Sequence, residues 1–157
     1  MAKDLSHRLP GPLIHIEGDK FWAFYVKGKQ DEPTKKRFAL MMRSITAATI
    51  PFVRGGYNVL VDFSFPPHYL ETLKKQHQKT ETMASLHYII LRPSLEICKS
   101  RAAGREDLPI TNYDRLLDFY RLFEELPDKT ISDDEAEPAV LAERVLQGIK
   151  DGTFLVS

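Results

Sequence analysis

Two periodicities of apolar residues alternate along the chain. Short continuous apolar runs occur at Leu13–Ile16, at Val59-Leu60-Val61 within Asn58–Phe63, and at Leu86–Leu91. Runs of this length, bounded by turn residues, predict buried strands. Between them the apolar positions adopt helical spacing. Phe38, Met41, Met42, Ile45, Ala48 and Phe52 form one such stripe. Leu116, Leu117, Phe119, Tyr120 and Phe123 form a second, and Val140, Leu141, Val145, Leu146 and Ile149 a third. Each predicts an amphipathic helix.

Punctuation refines the boundaries. Ala2–Arg8 reads as one or two helical turns ended by Pro10-Gly11. Glu17-Gly18-Asp19 reads as a polar turn, followed by the aromatic cluster Phe21, Trp22, Phe24 and Tyr25. Asp31 is the expected cap of the helix after Pro33, and Pro51 is expected to loosen its last turn. Pro66-Pro67 ends the second strand, and His68–Lys79 reads as a polar surface helix. Pro93 and Ser94 open a helix to about Ala103, Asn112–Leu126 is helical, and Lys129–Ser132 is a short final strand. Asp133–Glu135 is an acidic turn before the helix Pro138–Lys150, and Thr153–Val156 is an apolar tail. Strands alternating with helices predict an α/β domain with a largely parallel sheet and helices on both faces. No linker is evident, so one domain is expected over residues 1–157.

Composition narrows the function. The 157 residues include 43% hydrophobic and 28% charged positions, and the formal net charge is zero. A chain without a basic field is a poor candidate for nucleic acid or an anionic membrane. Cys98 is the only cysteine, which rules out an internal disulfide or a cysteine-based zinc site and points to a reducing, cytoplasmic setting. No apolar run reaches membrane-spanning length.

Parallel α/β sheets carry their working residues just beyond the carboxyl ends of the strands. Asp19 follows the first predicted strand, Asp62 ends the second and Arg92 follows the third. Arg101 and Arg105 lie four apart, on one face if the helix continues, although Gly104 favours an end or hinge there. Paired guanidinium groups suit phosphate oxygens. Each feature has a plain structural reading too. An aspartate after a strand caps turns, arginines on a helix are commonly solvated, and the Trp22 cluster fits a core as well as a substrate platform.

Taken in order, these pieces resemble P-loop small-molecule kinases of the adenylate-kinase-like group. Chloramphenicol phosphotransferase-like and zeta-toxin-like proteins are nearest, and gluconate kinase is more distant. The resemblance rests on HIEGDKFW (15–22), GGYNVLVDFSFPP (55–67), LRPSLEICKSRAAGRE (91–106) and the downstream ITNYDRLLDFYRLF. It implies ATP and Mg2+ as cofactors and transfer of a phosphoryl group to a hydroxyl of a small molecule. In that frame Asp19 matches the general base and Asp62 the magnesium-side acid. Arg101 and Arg105 match lid arginines, and Arg92 matches a residue near the nucleotide. Some relatives carry a second acid after the Asp62 position, where this chain has Phe63.

The chain also departs from the family. G-x-x-x-x-G-K-[ST], whose backbone amides cradle phosphates, occurs nowhere in it. Ala2–Gly11 resembles the tail of the helix that follows such a loop, so the N-terminal strand and P-loop are expected to be missing. The absent strand would lie between Asn58–Phe63 and Leu86–Leu91. Each backbone group left unpaired there costs about 1–3 kcal/mol, against a typical net stability of roughly 5–15 kcal/mol. Three remedies are open: a longer parent protein, a strand from a partner or a second copy, or a local segment such as Thr153–Val156. A non-catalytic interaction module on a kinase-like scaffold is the competing expectation.

Overall fold

The computed structural model describes residues 2–28, 33–105, 110 and 112–156. They form a mixed α/β fold in two compact units, one ending at Leu86 and the other spanning His87–Val156. Each unit holds one small parallel sheet, so the single larger sheet expected from the strand pattern is replaced by two two-stranded ones among the described residues.

The first unit opens with α1 (Ala2–Arg8), which buries Leu5. Strand β1 (Leu13–Glu17) pairs in parallel with β2 (Asn58–Asp62), Leu13 opposite Asn58 and Glu17 opposite Asp62. Their connection contains α2 (Thr34–Arg54), which supplies the core residues Met41, Met42 and Ile45. Thr46 is also buried, and its hydroxyl is satisfied by donating to the Met42 carbonyl at 2.9 Å. The N-cap of α2 is Pro33, which offers no side-chain acceptor; the expected cap, Asp31, lies outside the described residues. The helix runs through Pro51 to Arg54, and Gly56 turns the chain with a φ of 81°. A 3-10 turn (Pro67–Tyr69) leads into α3 (Leu70–Gln78). Arg54 satisfies the carbonyls beyond α3, donating to Lys79 O at 2.8 Å and Thr80 O at 3.2 Å.

The first sheet is amphipathic rather than buried on both faces. Ile14 and Ile16 stand opposite Val59 and Val61, and Ile16 is buried. The other face carries His15 and Glu17 beside Leu60 and Asp62, with His15, Glu17 and Asp62 exposed. Side chains alternate along a strand, so this division follows directly from the register.

In the second unit β3 is short (Ile90–Leu91) and pairs in parallel with β4 (Thr130–Ile131). Of the strand expected over Leu86–Leu91, the earlier part makes only an isolated antiparallel bridge, His87 to Leu155. Ser94 caps α4 (Leu95–Ala103), its hydroxyl accepting from Ile97 N. The helical stretch expected from Asn112 to Leu126 divides into α5 (Asp114–Arg121) and a 3-10 turn (Leu122–Glu124). Helix α6 (Pro138–Lys150) begins on Pro138, which is suited to a first helical position. The core here is Tyr88, Ile90, Ala102, Ala142, Val145 and Phe154.

Candidate functional site

In the first unit the polar candidates gather where β1 and β2 end. Glu17 and Asp62 are register partners at the carboxyl ends of two parallel strands, so their side chains leave the same face. Two residues past Glu17, Asp19 is exposed on a 3-10 helix (Gly18–Phe24) that replaces the expected polar turn. Lys20 donates to Glu17 at 2.8 Å. That bond, helped by the charges of Lys20 and His15, lowers the Glu17 pKa below the ordinary glutamate value despite some desolvation.

Gly18 fixes this geometry. A Cβ built on it would stand 2.5 Å from Cγ of Phe63, so only glycine lets β1 end against that ring. Phe63 follows Asp62 directly and packs with Phe38 (6.0 Å between centroids, stacked) and Phe65 (5.4 Å, edge-on). Phe38 also meets Trp22 at 6.4 Å and Tyr69 at 5.9 Å. Phe63 therefore belongs to an aromatic cluster and has a packing role. The 3-10 helix also borders a groove of about 150 Å³ lined by Phe21, Phe24, Tyr25, Leu40, Met41 and Ser44. Phe24 is 76% exposed at its rim. The aromatic segment thus divides between the two readings its sequence left open: Trp22 packs inward on Phe38, whereas Phe21, Phe24 and Tyr25 wall the groove.

The candidate arginines Arg92, Arg101 and Arg105 all lie in the second unit. Arg92 follows β3, stacks 4.1 Å over the Tyr120 ring and pairs with Glu124 at 2.5 Å. Tyr120 is itself fixed, its hydroxyl donating to Pro93 O at 2.9 Å. Arg101 is exposed in the last turn of α4, and its charge helps hold the Asp134 pKa down. The larger causes of that shift are two bonds from Ser94, first from its side chain and then from its backbone N–H, which donates to Asp134 Oδ1 at 2.6 Å. Arg105 lies beyond the helix. Gly104 is the C-cap and its N–H returns to Ser100 O, so Arg101 and Arg105 do not share a helical face. Arg105 is exposed and acts electrostatically on Tyr113, a different neighbour. Cys98 is half-buried, its thiol directed at Pro93 O, as a packed residue would be.

Sequence reasoning placed Glu17 only in a turn and His15 only in a strand. The alternation Ile14, His15, Ile16, Glu17 carries the missed signal, since it puts both polar residues on one face. Among the described residues no group of three or more His, Cys, Asp or Glu side chains could hold a metal ion, and no helix is long and apolar enough to cross a membrane.

The fold has a solved counterpart. The structure of a tunicamycin resistance protein from Deinococcus radiodurans superposes with a TM-score of 0.67 at 17% sequence identity, covering 99% of this chain and 89% of that one. No protein-family model matches the chain, and no curated protein matches it in sequence.

Proposed function

We propose that this chain carries the acceptor side of a phosphotransferase acting on a hydroxyl group of a small molecule. The observation behind the reading is the carboxylate edge at the ends of β1 and β2, where Glu17 and Asp62 are paired in register and Asp19 follows on the next turn. Asp19 is the base: it accepts the proton of the substrate hydroxyl as that oxygen becomes a nucleophile. The groove beginning two residues further on the same 3-10 helix supplies an apolar wall for the body of the substrate. A neighbour named for resistance to tunicamycin agrees with a small molecule as the species acted on.

The nucleotide side does not fit. The sequence holds no glycine-rich phosphate loop, and Asp62 belongs to no cluster of metal-holding side chains among the described residues. Arg92, Arg101 and Arg105 are the cationic side chains that would meet a nucleotide phosphate. Calorimetric titration with Mg·ATP, followed by transfer assays against hydroxyl compounds, tests the reading. Transfer that Asp19→Asn abolishes supports it. Transfer unaffected by Asp19→Asn, or its absence even in a version extended upstream that binds ATP, overturns it.

A second reading, a strand-binding module, is favoured by the sheet edges. Asn58 N donates to Pro12 O, so by alternation the N–H groups of Val59 and Val61 point away from β1. Neither of these edge residues has a strand partner on that side among the described residues. Nucleotide-independent self-association, or capture of a peptide that protects the Val59 and Val61 amides from exchange, would establish it.

A further inference from the structure

Residues 153–156 run antiparallel beside the backbone of His87 and Tyr88. Tyr88 N donates to Phe154 O at 2.9 Å, and Arg92 N donates to Ile131 O at 3.0 Å. Residues 88 and 92 have the same parity, so along an extended chain their N–H groups point to the same edge. The 153–156 segment therefore lies end to end with β4 and covers the stretch that this two-residue strand is too short to reach.

Three features make the segment a separable piece. Gly152 is a hinge after α6, with φ at 74°, a conformation that side-chain-bearing residues rarely adopt. Phe154 is the anchor: it is 4% exposed, and its ring lies against Gly148 so closely that a Cβ there would stand 2.2 Å from it. Lys129 is the latch, one residue before β4, and its ammonium donates to both Thr153 O and Leu155 O. Between these points the side chain of Leu155 is 45% exposed, and the segment is held through its backbone: Leu155 N donates to Gly152 O at 3.0 Å, and Leu155 bridges His87.

We propose that residues 153–156 form a detachable strap, hinged at Gly152 and latched by Lys129, that shields the backbone of His87 and Tyr88 from strand pairing with a second copy of the chain. A strand edge left bare is a template for association, and this chain covers it with its own segment instead of a charge or a proline. The latch is a single positive charge bonded to two carbonyl oxygens, so neutralising it weakens both bonds at once.

Native-state hydrogen exchange on the full chain, joined to sedimentation at several concentrations, tests the strap. Lys129→Gln removes the charge, Lys129→Arg keeps it, and Gly148→Ala evicts the Phe154 ring while improving the helix propensity of α6. The Tyr88 amide should exchange at least about tenfold faster in Lys129→Gln and Gly148→Ala, with α6 amides such as Ala142 and Val145 unchanged. Lys129→Arg should stay close to the parent, and the two opened variants should gain mass with concentration. Unchanged Tyr88 exchange, or Tyr88 and α6 accelerating together, would overturn the strap. Selective opening without any gain in mass would overturn its guarding role.

Discussion

Replacing Gly18 with alanine is the sharpest test of how the carboxylate edge is built. The glycine is not in the left-handed region, so alanine adds no backbone strain and the effect is steric alone. Its Cβ would stand 2.5 Å from Cγ of Phe63 and 2.6 Å from both Cβ and Cδ2, where carbon atoms settle at about 3.5–4.0 Å. The ring has little freedom to retreat, because Phe38 stacks on it and Phe65 meets it edge-on. The backbone is constrained too, since Gly18 and Phe63 directly follow the register pair Glu17 and Asp62. Relief of about 1 Å must therefore come from parting the ends of β1 and β2, an overpacking cost of about 1–3 kcal/mol. For a chain of this size that lowers the melting temperature by roughly 2–12 °C. Calorimetry or denaturant titration of Gly18→Ala, Phe63→Leu and the double variant reads the coupling. The alanine should cost less in the Phe63→Leu background by at least about 0.5 kcal/mol. Strict additivity, or a Gly18→Ala protein as stable as the parent, would show that the strand ends are not locked by this contact.

Other expectations follow from the second unit. Burial first, and then the nearby Lys129 charge, lowers the His87 pKa, so the unfolded chain binds the proton more tightly than the folded one. The stabilising contribution of neutral His87 is therefore complete above about pH 6.5 and declines as pH falls through that value toward the lower folded pKa; a His87→Gln variant should lose this component in denaturation series run across pH 4.5–8, values chosen as roughly two units either side of the histidine range. Asp133 and Asp134 are both held below the ordinary aspartate pKa, mainly by bonds from Arg144 and Ser94 respectively. Their contribution is present above pH 3.8 and disappears as pH falls below it, so Asp134→Asn should flatten the acid limb of the melting curve. Ser94→Ala removes the hydroxyl that accepts from Ile97 N and should cost about 1 kcal/mol by denaturant titration. Arg92→Lys keeps the charge but loses the planar stack on Tyr120, a loss of about 0.5–2 kcal/mol on the same assay.

What the sequence disclosed depended on whether the deciding interaction was local. Helix α4 was legible because Ser94 sits at its N-cap and Gly104 at its C-cap, both within one turn of the residues they satisfy. Helix α6 was legible from Pro138 and the Val140, Leu141, Val145 stripe. The strand over Leu86–Leu91 was overestimated because an apolar run reports burial, whereas strand length is set by the partner; β4 offers only two residues and the 153–156 segment covers the rest. The site divided along the same line. The positions of Asp19 and Asp62 at the strand ends were legible because each follows an apolar run. The partnership of Glu17 with Asp62 was hidden, because it depends on a register between segments 45 residues apart, 62 − 17, that no local pattern encodes. The union of Arg101 and Arg105 failed for a local reason already in view, since Gly104 ends the helix between them.

The two proposed functions draw on different parts of the same strand. β2 offers its last residue, Asp62, to the carboxylate edge, and its outward amides at Val59 and Val61 to a further strand. The acceptor chemistry needs the strand end held still, and two-stranded parallel sheets are weak supports because parallel strands ordinarily draw stability from neighbours on both sides. Here the support comes from aromatic packing. Phe63 lies on Gly18 and is held by Phe38 and Phe65, just beyond Asp62. A strand added beside Val59 and Val61 would stiffen the same end by a second route. Strand addition and acceptor chemistry are therefore reinforcing, and a partner that completes the sheet should sharpen the position of Asp62 and Asp19 instead of competing for it.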